Sequence, residues 1–112
     1  MTDEELNTQL YKKMADEQAA YREYLLSQPP DEILGNAYEY ATREDILMAL
    51  ENDGLSRKQA TALLKSEKPL EAVYRHHETH GRSSMEDIWA SMAAKANAIM
   101  RDDLNRSRQQ ER

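Results

Sequence analysis

The chain has no cysteine, no phenylalanine, a single valine, three glycines and three prolines. Each shortage excludes something. Without cysteine there are no disulfides and no thiol chemistry, which fits a reducing compartment. With few β-branched and aromatic residues there is little material for a sheet. Three glycines cannot build a glycine-rich phosphate loop, and no G-x-S-x-G nucleophile turn is present. No apolar run reaches the length of a membrane span. The start, Met1-Thr2-Asp3-Glu4-Glu5, is acidic where a secretory signal is basic, so a cytoplasmic protein is expected.

What is present favours helices. Six Met, six Tyr and Trp89 supply apolar volume that Leu, Ile and Val do not. Alanine is abundant, forms helix best and lets helix axes approach. At 112 residues the chain is one domain's length. The expected fold is all-α: a compact bundle of five to six helices, long at both ends, with short capped helices between. Residues 1–104 form the domain and 105–112 a polar tail that frays.

Punctuation places the helices. Thr2-x-x-Glu5 is a capping box opening a first helix with the stripe Leu6, Leu10, Met14, Ala20 or Tyr21, Tyr24 and Leu25, which Glu17 interrupts. Pro29-Pro30 ends it, and Pro30 opens a second helix carrying Ile33, Leu34, Ala37, Tyr38 and Ala41. Ile46, Leu47 and Leu50 are out of phase with that group, and Thr42-x-x-Asp45 offers a fresh cap at the slip, so a break is expected there. Gly54 suits a left-handed stop. Ser56-x-x-Gln59 is a second box, with Leu55 stapled against Ala60. Pro69 opens a helix facing Leu70, Val73 and Tyr74 inward, and Gly81 closes it. Ser83-x-x-Glu86 starts the last helix, striped by Met85, Ile88, Trp89, Met92, Ala93, Ala96, Ile99 and Met100.

Three patterns bear on function. His76 and His80 stand at i and i+4, a spacing zinc accepts, but the run His76-His77-Glu78-Thr79-His80 lacks the metalloprotease spacing and a third ligand. It reads as a helix end where His meets the dipole, with no metal and no cofactor. Residues 44–64 have the outline of a helix-turn-helix, with Gly54 at the turn and Arg57, Lys58 and Gln59 at the start of a recognition helix. Leu50 stands where that motif wants a small residue, and Glu44, Asp45, Glu51 and Asp53 would repel phosphates.

The third pattern is charge. Residues 1–54 carry a net −9 and residues 55–112 a net +3. An acidic, tyrosine-bearing helical surface suits a basic, nucleic-acid-binding protein partner. Its candidate residues are Glu17, Tyr21, Glu23, Tyr24, Glu32, Tyr38, Glu39, Tyr40 and Glu44. Tyr38 and Tyr40 cannot both face one core, so one of them is exposed. Acids at helix N-termini account for part of the same charge without any partner. The stripe from Met85 to Met100 would also serve a homodimer seam. No acid–base pair stands at a marked spacing, so an enzyme is not expected.

The segments Leu10-Tyr11-Lys12-Lys13-Met14, Glu17-Gln18, Tyr21-Arg22, Leu25 through Pro30, Ala37-Tyr38-Glu39-Tyr40, Arg43 through Leu47, Leu55-Ser56, Gln59-Ala60, Leu63 through Ser66 and Pro69-Leu70 together resemble a family of short bacterial domains of unknown function carried on conjugative and other mobile elements. The resemblance spans roughly residues 6–75. It implies a bacterial accessory protein without catalytic residues, in a setting where small acidic helical proteins often inhibit host defences such as CRISPR nucleases and restriction enzymes. The function expected is therefore non-enzymatic protein binding, extending to counter-defence; the alternative is a DNA-binding regulator acting through Arg57, Lys58 and Gln59.

Overall fold

A computed structural model describes residues 2–80 and 85–110, with side chains through 78 and from 88 to 106. Six helices follow one another: α1 (Asp3–Leu26), α2 (Pro30–Gly35), α3 (Ala37–Asp53), α4 (Arg57–Leu64), α5 (Pro69–His80) and α6 (Met85–Gln110). Among the described residues there is no strand, and no helix is long and apolar enough to cross a membrane. The expected stop at Gly81 and cap at Ser83 lie outside the described residues, as do the side chains of His80, Met85 and Glu86.

One core joins five of the helices. Leu10, Met14, Ile46, Leu63, Leu70, Val73 and Met92 are wholly buried in it, with Ala49, Ala60 and Ala96 at the close approaches. Alanine at those positions lets α3, α4 and α6 draw together without a side chain between them. Trp89 lies at the edge of the core and donates its indole N–H to the carbonyl of Gly54 at 2.9 Å, tying α6 to the end of α3. The stripe on α6 is used here: Ile88, Met92, Ala93 and Ala96 are buried within the chain's own core, and among the described side chains of that helix Leu104 is a large apolar one left exposed. Trp89, Ile99 and Met100 of the same stripe are half-buried.

The helix ends are closed partly by local caps and partly by α1. Thr2 accepts from the Glu5 amide, and Ser56 and Gln59 form a complete capping box at α4. Asn7 then closes the turn between α3 and α4 at both of its backbone groups, accepting from Leu55 N–H and donating to Leu55 C=O, each at 2.7 Å. Lys13 donates to the carbonyls of Leu64 and Ser66 at 2.9 and 2.6 Å, where the dipole at the end of α4 favours a cation. Glu17 accepts from the amides of Leu70 and Glu71, at the start of α5. α1 is therefore a spine whose polar side chains terminate three other segments.

Two expectations about the elements change. The break after Pro30 falls at Asn36, and α3 runs without interruption through Thr42. Asn36 stops α2 with its backbone N–H on Glu32 and Ile33 and its side chain on the Glu32 carbonyl at 2.8 Å. The phase slip has another cause: Leu34, Ala37, Tyr38 and Ala41 face solvent, while Thr42 and Arg43 join Ile46, Leu47 and Leu50 on the buried face. On α1 the same correction applies to Tyr24, which is exposed, and Gln18, which takes the buried place in the stripe. At the other end α6 extends to Gln110.

Candidate protein-binding surface

The nine acidic and aromatic candidates lie on α1, α2 and the first half of α3, and the fold divides them into two groups. Glu17, Tyr21 and Glu39 turn inward around Arg43, which is 5% exposed. The guanidinium donates through Nε and Nη2 to Glu39, its neighbour one turn earlier, with the Nε bond at 2.9 Å. Its Nη1 lies 3.8 Å from Glu17. Its plane covers the Tyr21 ring at 4.2 Å and stands 5.8 Å from the ring of Tyr74. A buried cation needs such an enclosure, because desolvating an unpaired charge costs several kcal/mol. Arg43 thus holds together α1, α3 and α5, which supply Glu17 and Tyr21, Glu39, and Tyr74 respectively.

A cleft of about 390 Å³ opens on this cluster, with Tyr24 and Glu39 on one side and Lys68, Glu71 and Arg75 on the other. Its charges are largely spoken for: Arg75 pairs with Glu71 and Arg43 with Glu39. Burial and the nearby Glu39 push the Tyr21 hydroxyl up in pKa, and that hydroxyl is enclosed without a hydrogen-bond partner among the described residues. Burial and Glu78 push Tyr74 up to about 12. The arrangement is a cluster of ion pairs and ring contacts centred on Arg43.

The second group faces outward. Glu23, Tyr24, Glu32, Tyr38 and Glu44 are exposed, and Tyr40 is half-buried. Tyr38 is 60% exposed, so the expected separation of Tyr38 from Tyr40 is realised. Around them lie apolar residues absent from the sequence-derived set: Leu26 at 60% and Leu34 at 77% exposure. α2 buries none of its residues, and beside it Arg22, Leu25, Leu26, Ile33, Ala37 and Tyr40 line an apolar hollow of about 220 Å³. A six-residue helix flanked by apolar side chains in water is a surface that a partner would desolvate. Nothing in the sequence marks Leu34 as exposed, whereas Arg43 stands in i, i+3, i+4, i+7 register with Ile46, Leu47 and Leu50, a pattern that could have placed it on the buried face.

The DNA-facing candidates are placed differently. Arg57 and Lys58 are exposed at the start of α4, where Arg57 pairs with Asp3 at 3.2 Å. Gln59 is committed to the capping box and to Asn97, at 3.3 Å. α4 itself packs between α1 and α6, with Lys65 bonded to Asp103 at 2.9 Å. In the histidine run, His77 is the buried member, its Nδ1 3.0 Å from the hydroxyl of buried Ser91 on α6. Among the described residues no three potential ligands gather around a metal position.

No curated protein and no solved structure matches the chain. A family model does match, over residues 6–100, and so reaches through most of α6, beyond the stretch that carries the resemblance seen in the sequence. The chain belongs to the family described as Protein of unknown function (DUF3848).

Proposed function

We propose that this is a non-enzymatic protein-binding domain that engages a basic partner through the acidic end formed by α1, α2 and the start of α3. One observation carries the reading: of the six large hydrophobic residues exposed among the described ones, four (Tyr24, Leu26, Leu34 and Tyr38) lie within this end. Exposed aromatic and aliphatic side chains make good interface anchors when polar residues rim them. Glu23, Asp31 and Glu32 supply that rim and would speed encounter with a cationic surface. The sequence resemblance supports a place among the accessory proteins of mobile elements, and inhibition of a host nuclease is the extension of that idea. For the DNA-binding alternative, Arg57 and Gln59 have partners inside the fold, which makes α4 the weaker candidate.

The test is affinity capture from nuclease-treated bacterial lysate with the wild type, a Leu34→Asp, Tyr38→Ser variant, and an Arg57→Ala, Lys58→Ala variant. A defined protein retained by the wild type and the arginine–lysine variant but lost by the first variant supports this reading. Recovery that needs nucleic acid, or that survives Leu34→Asp, Tyr38→Ser unchanged, overturns it.

A further inference from the structure

We propose that the ligand of this domain is a cationic amphipathic helix, lying along the outer groove between α1 and α3. The proposal rests on the protein-binding reading above and names what the partner presents.

The groove is defined by two hollows at opposite ends of one helix pair. The first, of about 400 Å³, is bounded by Glu4, Thr8 and Tyr11 of α1 and by Leu50 and Glu51 of α3. The second is the apolar hollow at Leu26, Ile33 and Tyr40. On α1, positions 4, 8, 11, 15, 22 and 26 are separated by three or four residues or by seven, so they share a face. On α3, positions 37, 40, 44 and 51 do the same. The helices run antiparallel, since Glu17 meets Arg43 while Asn7 meets Leu55. The two faces therefore form a single trough, with Glu4 near Glu51 and Leu26 near Ala37.

Among the described residues, the other helices meet α1 elsewhere. α4 and α5 meet α1 through Lys13 and Glu17, which project from other faces of the helix. Between the hollows the walls are low at Ala15, Ala19 and Ala41, while Met48, 49% exposed, adds an apolar side chain to the α3 wall beside Glu44. Small residues in this position let a third helix approach to the ordinary interaxial distance of about 8–10 Å. From Glu4 to Leu26 the trough runs roughly 33 Å, and its hollows, taken at Tyr11 and Arg22, are roughly 16 Å apart. A helix carries apolar anchors on one face at that interval, three turns apart. An occupant of this shape is the helix-in-groove mode of recognition.

The sign of the ligand follows from the lining. Glu4, Glu44 and Glu51 are exposed along the trough, with Arg22 and, at its margin, Lys12, which pairs with Asp16. Midway, buried Gln18 donates to the Tyr40 carbonyl and to Glu44, both at 3.1 Å, while its own Oε1 has no donor among the described residues. A lysine or arginine of the ligand would meet Glu44 at this point. Among the described residues, a second copy of this chain presents no such helix: the exposed bases on α4 flank a surface packed on α1, and those on α6 are interrupted by Asp102 and Asp103.

The probe is a 20-residue leucine–lysine peptide with leucines on one helical face, and its control has glutamate in place of lysine. Both are titrated into the full chain and followed by amide chemical shifts. The expected result is saturable, salt-sensitive binding of the lysine peptide alone, with shifts concentrated at Ala15, Ala19 and Ala41. Glu44→Lys, Glu51→Lys should weaken it about tenfold, whereas Glu67→Lys, Asp102→Lys, an equal change of charge at exposed positions away from α1 and α3, should alter it less than about twofold. Absent binding, shifts centred on other helices, or equal losses in both charge-reversed variants would overturn the groove. Such a result leaves the protein-binding reading standing if lysate capture still depends on Leu34 and Tyr38; failure of capture itself would remove that reading instead.

Discussion

Glu17 accepts a hydrogen bond from the amide of Leu70 at 2.8 Å, closing the start of a helix that lies 53 residues further along the chain. Its other oxygen takes the amide of Glu71, also at 2.8 Å. Helix starts favour a carboxylate at this point, and the usual source is a residue just before the helix. Here the residue before Pro69 is Lys68, which cannot accept, and α1 provides the acceptor instead. Replacing Glu17 by alanine should cost about 2–3 kcal/mol, because two amides and one side of Arg43 lose a charged partner. Glu17→Gln, which keeps one acceptor oxygen, should lose about half of that. Urea unfolding of both variants gives the comparison. A charge reversal at Glu17 is consequently unsuited to testing partner binding, since it removes α5's cap at the same time.

Arg43 is held by shape as well as by charge. A lysine could reach Glu39 but would neither cover the Tyr21 ring as a plane nor make two bonds to one carboxylate. Arg43→Lys should therefore destabilise the domain by about 1–2 kcal/mol. Arg43→Ala should cost about 3–5 kcal/mol, since it leaves Glu17 and Glu39 partly buried without their cation. Equal losses in the two variants would mean that the guanidinium plane contributes nothing beyond its charge.

Alkaline pH probes the same cluster. Burial and Glu78 raise Tyr74 to about 12 from an ordinary value of 10.0. The folded protein therefore holds this proton more tightly than the unfolded chain does. Its contribution to stability is complete below pH 10 and is lost as pH rises toward 12. Tyr74→Phe should remove the most alkaline phenolate transition at 295 nm and flatten the fall in stability across that interval. An unchanged final transition would assign it to another tyrosine.

Asn7 and Gly54 together make the corner between α3 and α4. Gly54 adopts φ +59°, a conformation that L side chains rarely adopt, and its amide closes α3 on Leu50. Asn7 supplies both a donor and an acceptor to Leu55. Gly54→Ala should cost about 1 kcal/mol for backbone strain alone, since a Cβ there meets Asn7 at ordinary contact distance. Asn7→Ala should cost about 1–3 kcal/mol by leaving two backbone groups of a buried residue unmatched. Asn7→Asp should fall between wild type and alanine, as it keeps only the acceptor. Thermal unfolding of the three proteins orders these effects.

How much of this was legible follows from the distance between partners. The local devices were readable: Thr2 with Glu5, Ser56 with Gln59, the prolines at 30 and 69 and the glycine at 54 all act within a few residues of themselves. That the chain belongs to a domain family of unknown function was readable too, from residues 6–75 of the 6–100 that the family covers. The roles of Asn7, Lys13 and Glu17 were not, because their backbone partners lie 48 to 54 residues away and leave no mark on the local pattern. Glu17 looked like a fault in an apolar stripe for that reason. The slip at Thr42 misled in the same way: the pattern assumes that the core face is apolar, and here Thr42, Arg43 and Gln18 occupy it. Exposed leucines are equally silent in a sequence, since Leu34 carries no sign that no helix covers it.

That silence gives a further test, at α2. If the apolar residues of this end exist for a partner, they should contribute little to the fold of the free protein. Leu34 is 77% exposed, and α2 as a whole buries nothing. Leu34→Ser should therefore change stability by less than about 0.5 kcal/mol, whereas Leu10→Ala, at a wholly buried position on α1, should cost about 3–4 kcal/mol. Solubility should move the opposite way, with Leu34→Ser lowering the concentration dependence of light scattering because an apolar patch has been removed. A large loss of stability in Leu34→Ser would show that α2 is held by its leucine, and the argument from an unpartnered surface would fail at its first premise. Stability unchanged, with partner capture lost, would separate the two roles at a single residue: Leu10 serving the fold and Leu34 serving the interface.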